Sequence, residues 1–206
     1  GRASGGLMTQ AVTERSANRE TASGTLVAVV GPSGVGKDSL MDFARQHFAG
    51  RADLHFVRRV ITRPRDAVGE DHEPVTLDRF EALSQAGAFA VSCRAHGLGY
   101  GIPADVYQSL GRGDVVIANG SRSALEAFRS AFANLVVVNV TAQPQVLAKR
   151  LAARGRETAA DIEARLARAT EPLSPELQIV EIDNSGELEA AGRTLVDLIE
   201  SLLHKD

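Results

Sequence analysis

Gly31-Pro32-Ser33-Gly34-Val35-Gly36-Lys37-Asp38-Ser39 is the stretch of this 206-residue chain whose residue types and spacing most clearly point to chemistry. Its glycines let backbone N–H groups curl around a polyphosphate, and a helix starting at its end adds a positive pole. Lys37 then reaches the β- and γ-phosphates as a point charge. Residues 31–39 are therefore the expected nucleotide-binding set. The residue after the lysine, commonly a Ser or Thr whose hydroxyl meets Mg²⁺, is Asp38, with Ser39 one position later. Asp38 either holds Mg²⁺, directly or through water and with Ser39 as a second ligand, or complements the helix N-terminus. Further along, Arg58, Arg59, Arg63 and Arg65 crowd eight residues, an arrangement that is costly unless anions meet it. Lys149, Arg150, Arg154, Arg156, Arg165 and Arg168 form a second basic group, in which Arg150 and Arg154 lie one helical turn apart.

Elements of regular structure must position these groups. An apolar run, Thr25–Val30, precedes the glycine loop, and an amphipathic segment with Leu40, Met41, Phe43, Ala44 and Phe48 follows it, which reads as strand, loop, helix. Residues 54–61 read as one strand delivering Thr62-Arg63-Pro64-Arg65 onto a loop, since Pro64 disfavours helix at Arg63. A short strand near Val75, a helix over 77–86 capped by Thr76, a strand over 87–93, a glycine-rich turn over 96–103 and a helix over 103–112 come next. Strands at 115–119 and 135–140 alternate with helices at 123–131, 144–153 and 159–170. A strand at 178–182 and a helix at 187–203 close the chain. Continuous rather than alternating apolar strands indicate a parallel sheet covered on both faces, an α/β three-layer fold. Asn119 ends a central strand, where such folds place ligands; it either touches a sugar hydroxyl or forms a turn.

The bulk numbers exclude several classes. A net charge of −3 gives no general reason to bind nucleic acid or anionic membranes. The single cysteine, Cys93, precludes an internal disulfide framework and fits a reducing, cytoplasmic setting. No Cys/His cluster suggests zinc, and no apolar run approaches the roughly 20 residues of a spanning helix. Residues 1–23 are expected to be disordered, with an expression scar ahead of Met8, and 24–206 to form the domain. A homodimer is left open.

From Thr25 onward the chain resembles the guanylate-kinase-like branch of the P-loop nucleoside monophosphate kinases. Within it, the chain is most similar to the ribose 1,5-bisphosphate phosphokinases of phosphonate breakdown. That resemblance rests on Gly36-Lys37-Asp38-Ser39, Arg59-Val60-Ile61-Thr62-Arg63-Pro64, Gly69-Glu70-Asp71-His72, His96-Gly97-Leu98-Gly99-Tyr100-Gly101-Ile102, Asn119-Gly120-Ser121-Arg122, Arg154-Gly155-Arg156-Glu157 and 162–169. It implies an ATP- and Mg²⁺-dependent transfer to a small sugar phosphate, making phosphoribosyl pyrophosphate, in a nucleoside monophosphate kinase-like P-loop NTPase fold with substrate-binding and lid segments. It implies that Lys37, Arg150, Arg154 and Arg165 act on the phosphates, with Arg156 and Arg168 as weaker lid members and Gly155 as a hinge or helix cap. Arg63 and Tyr100 would hold the accepting phosphate, Arg59 and His72 the other, and Asn119 a hydroxyl. Asp183-Asn184-Ser185 would lie near the adenine.

Departures from guanylate kinases sharpen that expectation. Their guanine-reading Ser, Glu and hydroxyl positions hold Arg59, Val91 and Ile102 here. Unpaired guanine donors would cost about 1–3 kcal/mol each, and Arg59 suits an additional phosphate. If Val91 and Ile102 instead belong to the core, that part of the contrast falls. A nucleoside monophosphate kinase and a non-catalytic binding module remain the competing expectations. Intact loop glycines, Lys37 and the lid arginines weigh against the module.

Overall fold

Five parallel strands, with Thr25–Val30 (β1) in the middle, build the main sheet of the computed structural model, which describes residues 23–64, 70–155, 157–169 and 171–204. Its order is β2 (Leu54–Phe56), β7 (Val115–Asn119), β1, β8 (Leu135–Thr141), β9 (Ile179–Asp183). Every β1 residue is buried, because successive side chains enter two different cores. Val27 and Val29 pack with Leu40, Met41 and Ala44 of α1 (Lys37–His47) and with Leu147 and Leu151 of α5 (Pro144–Ala153). The same core takes in Leu195 and Ile199 of α7 (Leu188–Leu203). Leu26, Ala28 and Val30 face Val106 and Leu110 of α3 (Val106–Gly111) and Leu125 and Phe128 of α4 (Leu125–Ala131). The expected three-layer α/β arrangement follows.

A second sheet departs from the sequence reading. The strand expected over 54–61 is divided: β2 pairs with β7, the chain leaves the main sheet after Val57, and Val60–Ile61 (β3) joins a separate four-stranded sheet. That sheet runs β4 (Glu73–Pro74), β3, β6 (Leu98–Pro103), β5 (Phe89–Ala95). The glycine-rich stretch expected to be a turn is therefore mostly strand. Its turn is confined to His96-Gly97, whose φ values of 53° and 74° suit a tight two-residue hairpin. Gly99 and Gly101 are glycines for a packing reason. A Cβ at either would lie 2.8 and 2.6 Å from the rings of Phe80 and Phe89, which press on β6 from above. Phe80 belongs to α2 (Leu77–Gln85), begun as expected by Thr76, whose hydroxyl accepts from Arg79 N–H. The helix expected from residue 123 starts as a single 3₁₀ turn, Arg122–Ala124.

Past α5 the chain turns at Gly155, which has φ +62° with open space around it, and enters α6 (Ala159–Ala169). Its N–H bonds the Ala152 carbonyl, so the glycine caps α5. Residues 1–22, Arg65 and Arg156 lie outside the described residues, and with them the expectations placed there.

Candidate active site

The main sheet, the small sheet and the α5–α6 pair converge on one cavity of about 850 Å³ at the carboxyl end of β1 and β7. Its floor is the glycine loop. Gly31, Pro32, Ser33, Gly34, Gly36, Lys37, Asp38 and Ser39 all line it; Val35, also expected among the nucleotide contacts, instead buries its side chain in the core. Gly34 and Gly36 take φ of +83° and +87°, the left-handed region that lets loop amides face inward. Lys37 opens α1 and donates from Nζ to the Gly120 carbonyl at 3.2 Å. Burial, then the charge of Arg59, pushes its pKa down to about 8, while Asp38 and Glu70 pull the other way.

Behind the floor lies a brace. Asn184 is buried and donates from Nδ2 to the Val35 carbonyl at 2.8 Å. Arg150 donates to the same carbonyl at 3.2 Å and to the Asn184 carbonyl at 2.9 Å. A Cβ on Gly36 would sit 2.5 Å from Asn184 Nδ2. Arg150, expected over the phosphates, thus holds the loop from beneath and does not line the cavity. Just past the end of α5, Arg154 reaches the cavity, as do Arg165 and Arg168 of α6. Arg165 is ion-paired with Glu157. Asn184, expected beside the adenine, is part of this brace, and Ser185 binds the Gln143 N–H.

On the acceptor side the four clustered arginines separate. Arg58 faces outward to Glu73 and Asp71. Arg63 lines the cavity, and its buried Nε has no protein acceptor. Arg59, expected to be a spare cation for phosphate, is engaged by Glu70. Its Nε donates to Oε2 at 3.0 Å, its Nη2 pairs with Oε1, and its guanidinium lies 4.7 Å over the Tyr100 ring. Asn119 is 5% exposed and places Nδ2 at 3.3 Å from both Glu70 Oε1 and Asp38 Oδ1. Tyr100 lines the same wall.

Three readings of the sequence change here. His72 is not a substrate contact: it is 3% exposed, with Nδ1 3.0 Å from the Glu70 carbonyl and Nε2 2.9 Å from the Arg63 carbonyl. It ties together the ends of the segment that carries both residues. Val91 and Ile102 oppose each other across β5 and β6 inside the apolar core and do not line the cavity, so their apolar character says nothing about a base pocket. Cys93 is on the cavity wall, with its thiol pKa raised by burial, against a smaller lowering by Arg59; His96 lies on that wall too. Glu70 is the residue that sequence reasoning missed. Nothing in the sequence singles it out, since Asp66, Asp71 and Glu73 lie close by in the chain.

Magnesium fits the donor set. Asp38 and Ser39 bring hard oxygen donors to the cavity. Among the described residues no group of three or more His, Cys, Asp or Glu forms a cage. Mg²⁺ characteristically takes one or two carboxylates together with nucleotide phosphates and water.

A glycine loop at the end of a central parallel strand, basic helices above it and a separate acceptor sheet define a P-loop kinase. The fold is that of guanylate kinase: the enzyme from Anaplasma phagocytophilum superposes with a TM-score of 0.60 over 89% of this chain and 88% of its own, at 15% identity. No family model matches the chain. Individual relatives are much nearer in sequence. A protein from Rhizobium etli (strain CIAT 652) named ribose 1,5-bisphosphate phosphokinase PhnN is 56% identical over 87% of this chain and 91% of its own. The protein of that name from Agrobacterium fabrum is 53% identical over 85% and 96%. This chain belongs to the ribose 1,5-bisphosphate phosphokinase family. In Cupriavidus necator a bifunctional ribose 1,5-bisphosphokinase-thymidine phosphorylase matches 87% of this chain at 44% identity, over 30% of its own length. No helix among the described residues is long and apolar enough to cross a membrane.

Proposed function

We infer that the protein transfers the γ-phosphoryl group of ATP to the 1-phosphate of ribose 1,5-bisphosphate, releasing ADP and 5-phosphoribosyl 1-diphosphate, in the cytoplasm. The observation that carries this reading is the convergence of two cationic sets on one cavity: Lys37, Arg154, Arg165 and Arg168 on the donor side, Arg63 on the acceptor side. The names of the relatives support the choice of acceptor.

An acceptor phosphate oxygen is already an anionic nucleophile, so no residue has to remove a proton from it. It attacks the γ-phosphorus, and the bond to the β–γ bridging oxygen breaks, its electron pair leaving with ADP. Positioning and charge neutralisation do the rest. Lys37 and the loop amides hold the β- and γ-phosphates. Arg154 and Arg165, with Arg168, neutralise charge on the migrating group, and α5–α6 excludes water as it closes. Arg63 and Tyr100, both on the cavity wall, hold the accepting phosphate. Asp38 and Ser39 would hold Mg²⁺, which would supply Lewis-acid neutralisation of developing charge. Arg150 and Asn184 act through the loop they brace.

The test is ADP release with Mg-ATP, run side by side on ribose 1,5-bisphosphate and GMP. Turnover of the bisphosphate with little on GMP is expected. The reverse result makes the protein a nucleoside monophosphate kinase, and silence on both, with ATP bound, makes it a binding module.

A further inference from the structure

A carboxylate in a cavity built for phosphates calls for an explanation, because it repels the groups the cavity binds. Glu70 has a side chain 17% exposed, lines that cavity and lies close enough to Lys37 to raise its pKa. It is held from two sides, by both arms of Arg59 and by the Asn119 amide. Its backbone carbonyl is anchored to His72, whose other nitrogen meets the Arg63 carbonyl. So firm a mounting sets the direction of the carboxylate as well as balancing its charge.

The lone pairs say what remains for it to do. Each carboxylate oxygen can accept two hydrogen bonds. Oε1 accepts from Arg59 Nη2 and Asn119 Nδ2, while Oε2 receives Arg59 Nε. Glu70 lines the cavity, and its Oε2 has one acceptor position with no partner among the described residues. A phosphate cannot fill it, since phosphate oxygens near neutral pH are themselves acceptors. On a sugar bisphosphate the groups that can donate are the ring hydroxyls.

We propose that Glu70 is a specificity-determining residue that accepts a hydrogen bond from a ribose ring hydroxyl of the acceptor, with Arg59 and Asn119 as its positioning residues. This rests on the function inferred above. It gives the wall two kinds of recognition: Arg63 takes a phosphate, and Glu70 reads the sugar between the phosphates. A hydrogen bond to a charged acceptor discriminates by about 10–100-fold, and the unpaired carboxylate left by a deoxy sugar adds to the penalty.

The experiment compares kcat/KM for ribose 1,5-bisphosphate with that for its 2-deoxy and 3-deoxy analogues, in wild type, Glu70→Ala and Glu70→Gln. Wild type is expected to disfavour one analogue by about 10–100-fold. In Glu70→Ala that ratio should collapse to within a few-fold of one, with Glu70→Gln between the two. A ratio taken within one variant is insensitive to general damage, and an ATP-dependent rise in Tm shows that each variant is folded. An unchanged ratio in both variants overturns the proposal and leaves Glu70 as the counterion of Arg59. Wild-type silence on ribose 1,5-bisphosphate overturns the inferred function and this proposal together, a result distinct from turnover with unchanged ratios.

Discussion

The two halves of the cavity are built in different ways. The donor half has a backbone floor under its cations: loop amides shaped by Gly34 and Gly36 and held from below at one carbonyl, Val35, by Arg150 and Asn184. The acceptor half is a set of side chains, Arg59, Glu70, Asn119 and Tyr100, drawn from β7, β6 and the segments flanking β3 and β4, which balance one another's charges and bonding capacity. A polyphosphate can be recognised by a fixed concave backbone, since each oxygen asks for the same donor. A sugar bisphosphate presents acceptors and donors together, and recognising both requires cations and a carboxylate that do not simply neutralise each other. The donor half is therefore sensitive to backbone shape, and the acceptor half to pairing.

Substitutions on each side should test that contrast, with Lys37→Ala causing the largest loss. A fall in kcat/KM of about 10²–10³-fold is expected from removal of the cation at the developing charge, measured by ADP release. A fall below tenfold would assign that role to the lid arginines. Gly36→Ala comes next. The left-handed φ and the 2.5 Å approach to Asn184 should cost about 1–3 kcal/mol of stability, seen as a lower Tm, and should abolish the ATP-dependent rise in Tm.

A split in Michaelis constants separates the halves more finely. Arg150→Ala should raise the KM for ATP by roughly tenfold and leave the acceptor KM unchanged, while Arg63→Ala should do the converse. If both variants raise both constants, the halves are one coupled unit. The smallest effect is in pH. With Lys37 titrating near 8 in the free protein, ATP affinity should fall about fivefold between pH 8 and 9, read by calorimetry. Stability without ligand moves the opposite way. The unfolded chain holds the Lys37 proton up to about 10.5 and the folded one only to about 8, so the lysine's contribution to stability rises with pH across that window.

The main sheet was legible because its central strands are buried on both faces and carry continuous apolar runs, as at 115–118 and 135–138. Thr76 announced α2 by local capping chemistry, and α5 matched its expected span. The small sheet was not legible. Gly99 and Gly101 look like turn residues until Phe80 and Phe89 are seen lying on them, and β3 is too short to show a period. Val91 and Ile102 looked like pocket walls because spacing along the chain does not say which face of a strand meets the cavity.

By itself the sequence determined the nucleotide loop, the alternating strands and helices of the main sheet and the family. These depend on interactions between residues near one another in the chain: glycine's allowed φ, an N-cap, an apolar run of strand length. Only the tertiary structure decided what each charge does. Arg58 faces water, Arg59 holds Glu70, Arg63 lines the cavity and Arg150 braces the loop from beneath. The physical reason is that an arginine's role is set by the acceptor that its long side chain meets, and those acceptors lie up to 115 positions away.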